Sequence, residues 1–220
     1  MKKRKIVEIP HKGKTITFPV STPIEIYQVL KSNEVRSAIS AETASLVYDA
    51  FLNSKIKDEN TIKNILEESF LYEFTGNIFL PSVGEKKKLY NGVILVDNPP
   101  IVNGRLEQNI DFSNMIKEGN PSVRYISFKY KTGEQTWQEL EKNPYIVGRY
   151  GEERAAQVAK VASTYKENPK IQHIESIDEG KIVMSILSSE GDRCLKIGFT
   201  RGNFRNCDGY AFGILKEQKN

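Results

Sequence analysis

The chain has 220 residues, 39% of them hydrophobic and 27% charged, and 32 Lys and Arg against 28 Asp and Glu leave a net charge of +4. Such a length suits one large domain or two small ones and buries a core without staples, hiding ~70% of the unfolded surface. Ten Tyr and ten Phe in regular apolar patterns exclude a disordered chain, and the longest apolar run, the four residues Val93 to Val96, excludes a membrane helix, which needs ~20.

In chain order, 5–9 and 15–19 are β-rich and flank the turn cluster Pro10-His-Lys-Gly13, which predicts a hairpin. The basic start runs straight into Ile6-Val-Glu8, so no secretory leader is expected. Thr22-Pro-Ile-Glu25 is a capping box with proline at the first helical position, and it opens a helix with Ile26, Val29 and Leu30 on one face. Ala44, Val47, Tyr48 and Phe51 predict a second helix over 41–53. Ile62, Ile65, Leu66 and Phe70 predict a third over 61–74. Residues 22–75 thus read as an N-terminal helical block.

Strands are expected at 78–80, 93–96 and 122–130, with helices over 136–142 and 152–166. The end of the chain reads as strands at 171–177, 181–187, 194–200 and 210–215. Their short connections predict antiparallel neighbours. The whole chain, 1–220, therefore reads as a single α+β domain with a curved, half-pipe-like antiparallel sheet and an N-terminal helical block.

Standard catalytic motifs are missing: there is no GxxxxGK[ST], GxGxxG, GxSxG or HExxH, and the two histidines, His11 and His173, give a triad little to build from. Cys194 and Cys207 form no CxxC pair, so a reducing cytoplasm is the expected compartment. Glu179-Gly-Lys181 fits the Glu-x-Lys of metal nucleases, but a turn glycine would scatter the groups.

Acid–base chemistry without a metal needs a carboxylate, a donor and a basic surface. Arg36, Glu67, Glu68 and Tyr72 supply candidates, with Glu68 and Tyr72 on one face if the third helix extends to 74. A polar segment, Arg201-Gly-Asn-Phe-Arg-Asn-Cys-Asp208, joins the last two strands. Its Arg201, Arg205, Asn203 and Asn206 are side chains able to read base edges. Lys86, Lys87, Lys88, Arg124, Lys129, Lys131, Arg149 and Arg154 would complete a basic face for double-stranded DNA.

The spacing of Arg36, Glu67 and Tyr72, followed by Asp208 in a late loop, resembles the PabI-type half-pipe restriction enzymes. Lys160, with Lys166 as the alternative, stands where that family has a middle lysine. Arg205 stands where it has a histidine. The resemblance implies a homodimeric, cofactor-free restriction enzyme that flips adenine out of a short palindrome such as GTAC, as chemistry on a stacked base requires. It implies hydrolysis of the N-glycosidic bond and strand breakage at the abasic site. Asp208 would serve the water, Tyr72 the sugar, and Glu67 with Arg36 would order the site. The alternatives are a non-enzymatic nucleic-acid-binding regulatory protein and a metal-dependent nuclease using Glu179 and Lys181.

Overall fold

The computed structural model describes residues 7–11, 14–18, 20–21, 23–32, 35–53, 59–80, 92–102, 105–107, 111–127, 130–173, 182–189, 193–200 and 209–215. The expected hairpin forms from β1 (Val7–His11) and β2 (Lys14–Phe18), paired from Val7–Phe18 to His11–Lys14. Strand β3 (Val20–Ser21) and helix α1 (Pro23–Ser32) follow, then β4 (Val35–Ser37). Helix α2 (Ser40–Tyr48) runs into a single π-helical stretch, Asp49–Asn53, so the predicted 41–53 helix is present with its last turn widened.

Helix α3 is Glu59–Glu68 and stops well short of residue 74. Leu71–Phe79 is instead a nine-residue strand, β5, buried along its whole length. The alternation in Leu71-Tyr-Glu-Phe-Thr-Gly-Asn-Ile-Phe79 has the two-residue period of a strand, and partners on both edges decide the outcome.

The middle of the chain contributes β6 (Gly92–Asp97), a small ribbon of β7 (Ile101–Val102) and β8 (Arg105–Leu106), and helix α4 (Phe112–Lys117). Strands β9 (Val123–Ser127) and β10 (Gly133–Glu134) come next. Helix α5 (Trp137–Lys142) starts at a complete capping box between Thr136 and Glu139. Helix α6 (Pro144–Tyr150), absent from the sequence prediction, is capped by Asn143 with Pro144 at its start, and α7 (Glu152–Ala162) follows. The last strands are β11 (Lys170–Ile171), β12 (Ile182–Ser189), β13 (Leu195–Phe199), β14 (Gly209–Ala211) and β15 (Gly213–Leu215).

These strands make a nine-stranded, mostly antiparallel sheet, a four-stranded sheet in the order β1-β2-β15-β4, and the two-stranded ribbon. The predicted α+β class with a curved sheet is thus observed, and the sheet curls into a half-barrel. Two details of the prediction are corrected. The strand expected at 210–215 is split at Phe212 between the two larger sheets. The sequential antiparallel order at the end of the chain also fails. β12 and β13 pair antiparallel, but β11 pairs β13 in parallel and β14 pairs β5 in parallel.

Curvature originates at β5. One edge pairs with β12, with a register shift at Met184/Ser185, and the other edge forks. Leu71 and Tyr72 pair with β14, whereas Thr75–Phe79 pair with β6. At the fork, Phe74 would have an orphaned N–H and C=O. The N–H donates to the Ala38 carbonyl at 3.0 Å and the C=O accepts from the Asn98 N–H at 2.7 Å. Asn98 reaches that position with φ 48°, a left-handed conformation that Asn tolerates.

Both faces of β5 are covered. Leu71 and Phe79 belong to an apolar cluster with side chains of α2, α3, α5, α6 and α7. Tyr72, Phe74 and Ile78 belong to a second cluster with Ile26 and Leu30 of α1, against which Met115 and Ile116 of α4 pack. Among the described residues, no helix is long and apolar enough to cross a membrane.

Candidate functional site

Between Leu71 and Phe79, the helix-facing positions of β5 are Glu73, Thr75 and Asn77, each 0% exposed. Polar residues alternating along a strand ordinarily face water. Here they face helices, and each must find a partner inside the protein. Helix α6 supplies most of the partners, and the C-terminal position of Arg149 in it is decisive. The Arg149 Nε donates to Glu73 Oε2 at 2.9 Å and a second guanidinium nitrogen pairs with the same carboxylate. Its remaining donors go to the Tyr145 hydroxyl, the Gly198 carbonyl at 3.0 Å and the Ile186 carbonyl at 3.1 Å.

The carboxylate is equally engaged. Ser40 Oγ donates to Glu73 Oε2 at 3.0 Å and the Tyr150 hydroxyl donates to Oε1 at 3.1 Å. The Tyr145 hydroxyl donates to Asn77 Oδ1 at 2.7 Å, and the Asn77 amide donates to Ser185 Oγ at 2.9 Å. None of these side-chain atoms is left without a partner. Burial works to lower the Arg149 pKa, but the Glu73 carboxylate, the neighbouring Tyr150 and Tyr145, and the hydrogen bonds to Glu73 together outweigh it and hold the guanidinium above its ordinary value. Burial also lifts the Tyr150 and Tyr145 phenols above theirs, with Arg149 opposing. The result is a Glu73–Arg149 pair sealed from solvent, with both side chains 0% exposed.

Nearer the surface, Arg124 of β9 makes a bidentate pair with Asp97 of β6, at 2.7 and 2.9 Å. Arg36 does the same with Glu42 across the β4–α2 junction, at 2.7 and 2.5 Å, and Glu42 also accepts from the Ile39 N–H. That hydrogen bonding to Glu42 holds the Arg36 pKa above its ordinary value.

The structure therefore redistributes the residues singled out from sequence. Tyr72 is 1% exposed, in a strand and not on a helix with Glu68, so the proposed shared helix face does not exist. Glu67 is exposed at the end of α3, and Lys160 is exposed on α7. Both helices pack on the sheet face opposite the one that holds Tyr72. Arg36 is engaged by Glu42, and Arg154 is half-buried with its Nε directed at Ser45 Oγ.

Asp208, Arg201, Asn203, Arg205, Asn206, Lys86, Lys87, Lys88, Lys129, Glu179 and Lys181 lie outside the described residues. Of the expected basic face, Arg149 is buried, while Arg124 and Lys131 are paired with Asp97 and Glu139. Among the described residues, no group of three or more His, Cys, Asp and Glu is arranged to hold a metal ion.

One described neighbour ties Tyr72 to the end of the polar segment. A Cβ on Gly209 would stand 2.4 Å from Tyr72 Cε2 and 2.7 Å from the Phe70 carbonyl oxygen. Gly209→Ala is therefore expected to lower stability by about 1–3 kcal/mol, because the obstacle includes backbone and cannot move aside cheaply. Thermal denaturation of the variant measures this, and an unchanged midpoint would contradict the packing.

The curled sheet with helices on both faces has a counterpart among solved structures. A solved protein of Nanoarchaeota, described as accommodating massive sequence variation by the C-type lectin fold, superposes with a TM-score of 0.58. The match covers 97% of this chain and 99% of that one at 16% identity. No protein-family model and no curated protein matches the sequence.

Proposed function

We propose that this protein is a binding module, a C-type lectin scaffold whose interior is fixed by a sealed polar network and whose exterior is free to carry recognition residues. The observation that supports the reading is a fold match that covers 97% of this chain and 99% of the other at a TM-score of 0.58 and only 16% identity. In this reading a small internal set of interactions fixes the architecture, and the Glu73–Arg149 network is the candidate for that set here. The neighbour's reported capacity to accommodate sequence variation fits the same division of labour.

Less supports the adenine glycosylase reading. It asks Tyr72 to reach a flipped nucleotide, yet that ring is packed beneath Gly209. It also asks for a basic face, and Arg124, Lys131 and Arg149 are each matched by a carboxylate.

The test has two arms. Plasmid DNA incubated with the protein in EDTA or in magnesium, then treated with mild alkali, is expected to remain unbroken with no adenine released. Breaks at one sequence with free adenine would overturn the binding-module reading in favour of the glycosylase; breaks in magnesium alone would favour the nuclease. In the second arm, Trp137, Glu153 and Lys160, all exposed, are changed together to alanine. The expected stability change is within about 1.5 kcal/mol, the sum of three ordinary surface effects. A much larger loss would show that the exterior is not independent of the core.

A further inference from the structure

The two ion pairs of β5 and β9 are joined by more than proximity. Asp97 Oδ1 accepts from Thr75 Oγ1 at 2.8 Å, and Thr75 Oγ1 accepts from the Ser40 N–H at 3.1 Å. Ser40 Oγ donates to Glu73, which holds Arg149. From the other side, the Arg124 Nε donates to the Gly148 carbonyl at 2.7 Å. Gly148 precedes Arg149, and its carbonyl lies among those the last turn of α6 leaves unpaired. The path Asp97–Thr75–Ser40–Glu73–Arg149–Gly148–Arg124–Asp97 therefore closes on itself. It threads β6, β5, α2, α6 and β9.

Gly148 is also a point of closest approach. A Cβ there would meet Ile126 Cδ1 of β9 at 2.2 Å, so α6 sits directly on that strand. Within the circuit, Arg149, Glu73, Ser40 and Thr75 are buried, whereas the Arg124 and Asp97 side chains keep 28% and 13% of their exposure.

We propose that this circuit is a conformational latch for α6, and that the partly exposed Arg124–Asp97 pair is its solvent-side handle. A change of charge or partner at Asp97 frees Arg124 from a fixed orientation and with it the carbonyl that anchors the end of α6. Through Thr75 and Ser40 the same change loosens the groups that hold Glu73 against Arg149. The helix and the surface pair form one cooperative unit. Networks of charged and hydrogen-bonded groups with shared members behave in this coupled way.

Amide hydrogen exchange on Asp97→Asn tests the latch. The reporters are the Val147 and Gly151 amides, bonded to the carbonyls of Asn143 and Val147, with the Leu187 and Ile197 amides of β12 and β13 as reference. Exchange at the α6 reporters is expected to rise about tenfold more than at the reference amides, as local opening of one unit requires. An equal rise everywhere would mean general destabilisation, and a change confined to β6 and β9 would mean two independent pairs; either overturns the proposal. If Asp97→Asn does not fold, Asp97→Glu, which keeps the charge but displaces it, is read by the same comparison.

Discussion

Replacing Glu73 with glutamine is expected to cost about 3–5 kcal/mol of folding stability, the usual penalty for stripping one partner from a buried ion pair. The side chain of Arg149 is 0% exposed and cannot turn to water to recover solvation. Its guanidinium keeps the Ile186 and Gly198 carbonyls and loses the compensating charge. Two further donors, Ser40 Oγ and the Tyr150 hydroxyl, lose an anionic acceptor in exchange for a neutral one. Denaturant unfolding gives the answer directly: the midpoint should fall while the slope stays constant, as for a loss of stability without a change in compactness. A loss below about 1 kcal/mol would mean that the pair is far weaker than its geometry implies.

Removing both charges together should not restore the wild-type value. In some proteins a buried pair is exchanged for apolar residues at no cost. That exchange works when the surrounding groups are apolar or can pair among themselves. Here Glu73 and Arg149 also satisfy Ser40, Tyr145, Tyr150 and two strand carbonyls. A Glu73→Met, Arg149→Met double variant would leave several of these without partners, at about 1–3 kcal/mol for each buried group that cannot reach water. The network therefore acts as a specificity device for the junction of α2, β5 and α6: any other packing of those elements strands polar groups in the core.

The sequence made the helices and hairpins legible wherever a local signal was strong. The Thr22-Pro-Ile-Glu25 capping box and the turn cluster at Pro10–Gly13 lead to the elements they predict, α1 and the β1–β2 hairpin. Residues 71–79 were harder. Their two-residue alternation is present, but the apolar stripe of α3 runs into it without a glycine or proline stop, so the helical pattern continues to 74 although the helix ends at Glu68. The polar half of that alternation, Glu73, Thr75 and Asn77, normally marks a wet face. Its burial is decided by Arg149, 76 residues away, which no local pattern reveals. Asn143-Pro144 is a local start signal for α6, the helix that carries Arg149, but it does not specify the pairing with Glu73. The forked edge of β5 follows from long-range pairing alone and was beyond reach for the same reason.

The same burial leads to the other large expected effect, a collapse of stability in alkali. Burial raises the phenol pKa of Tyr130, Tyr145 and Tyr150 above the ordinary value of 10, that of Tyr150 well above it, and pushes that of Tyr165 up to about 12. Below about pH 10 both the folded and unfolded chains keep these protons, and stability is full. Above it the unfolded chain releases them and the folded chain does not, so stability falls as pH rises until each folded value is reached. Each withheld proton costs about 1.4 kcal/mol per pH unit. While all three protons of Tyr130, Tyr145 and Tyr150 are withheld, together they give about 4 kcal/mol per unit, a large share of a typical stability of 5–15 kcal/mol. The chain contains ten tyrosines, so a spectroscopic titration separates the classes. Exposed phenols should ionise gradually near pH 10 with the circular dichroism intact. The buried ones should appear in a single step that coincides with its loss. Gradual ionisation of all ten in a folded chain would show that the sheet–helix interface around Glu73 admits water.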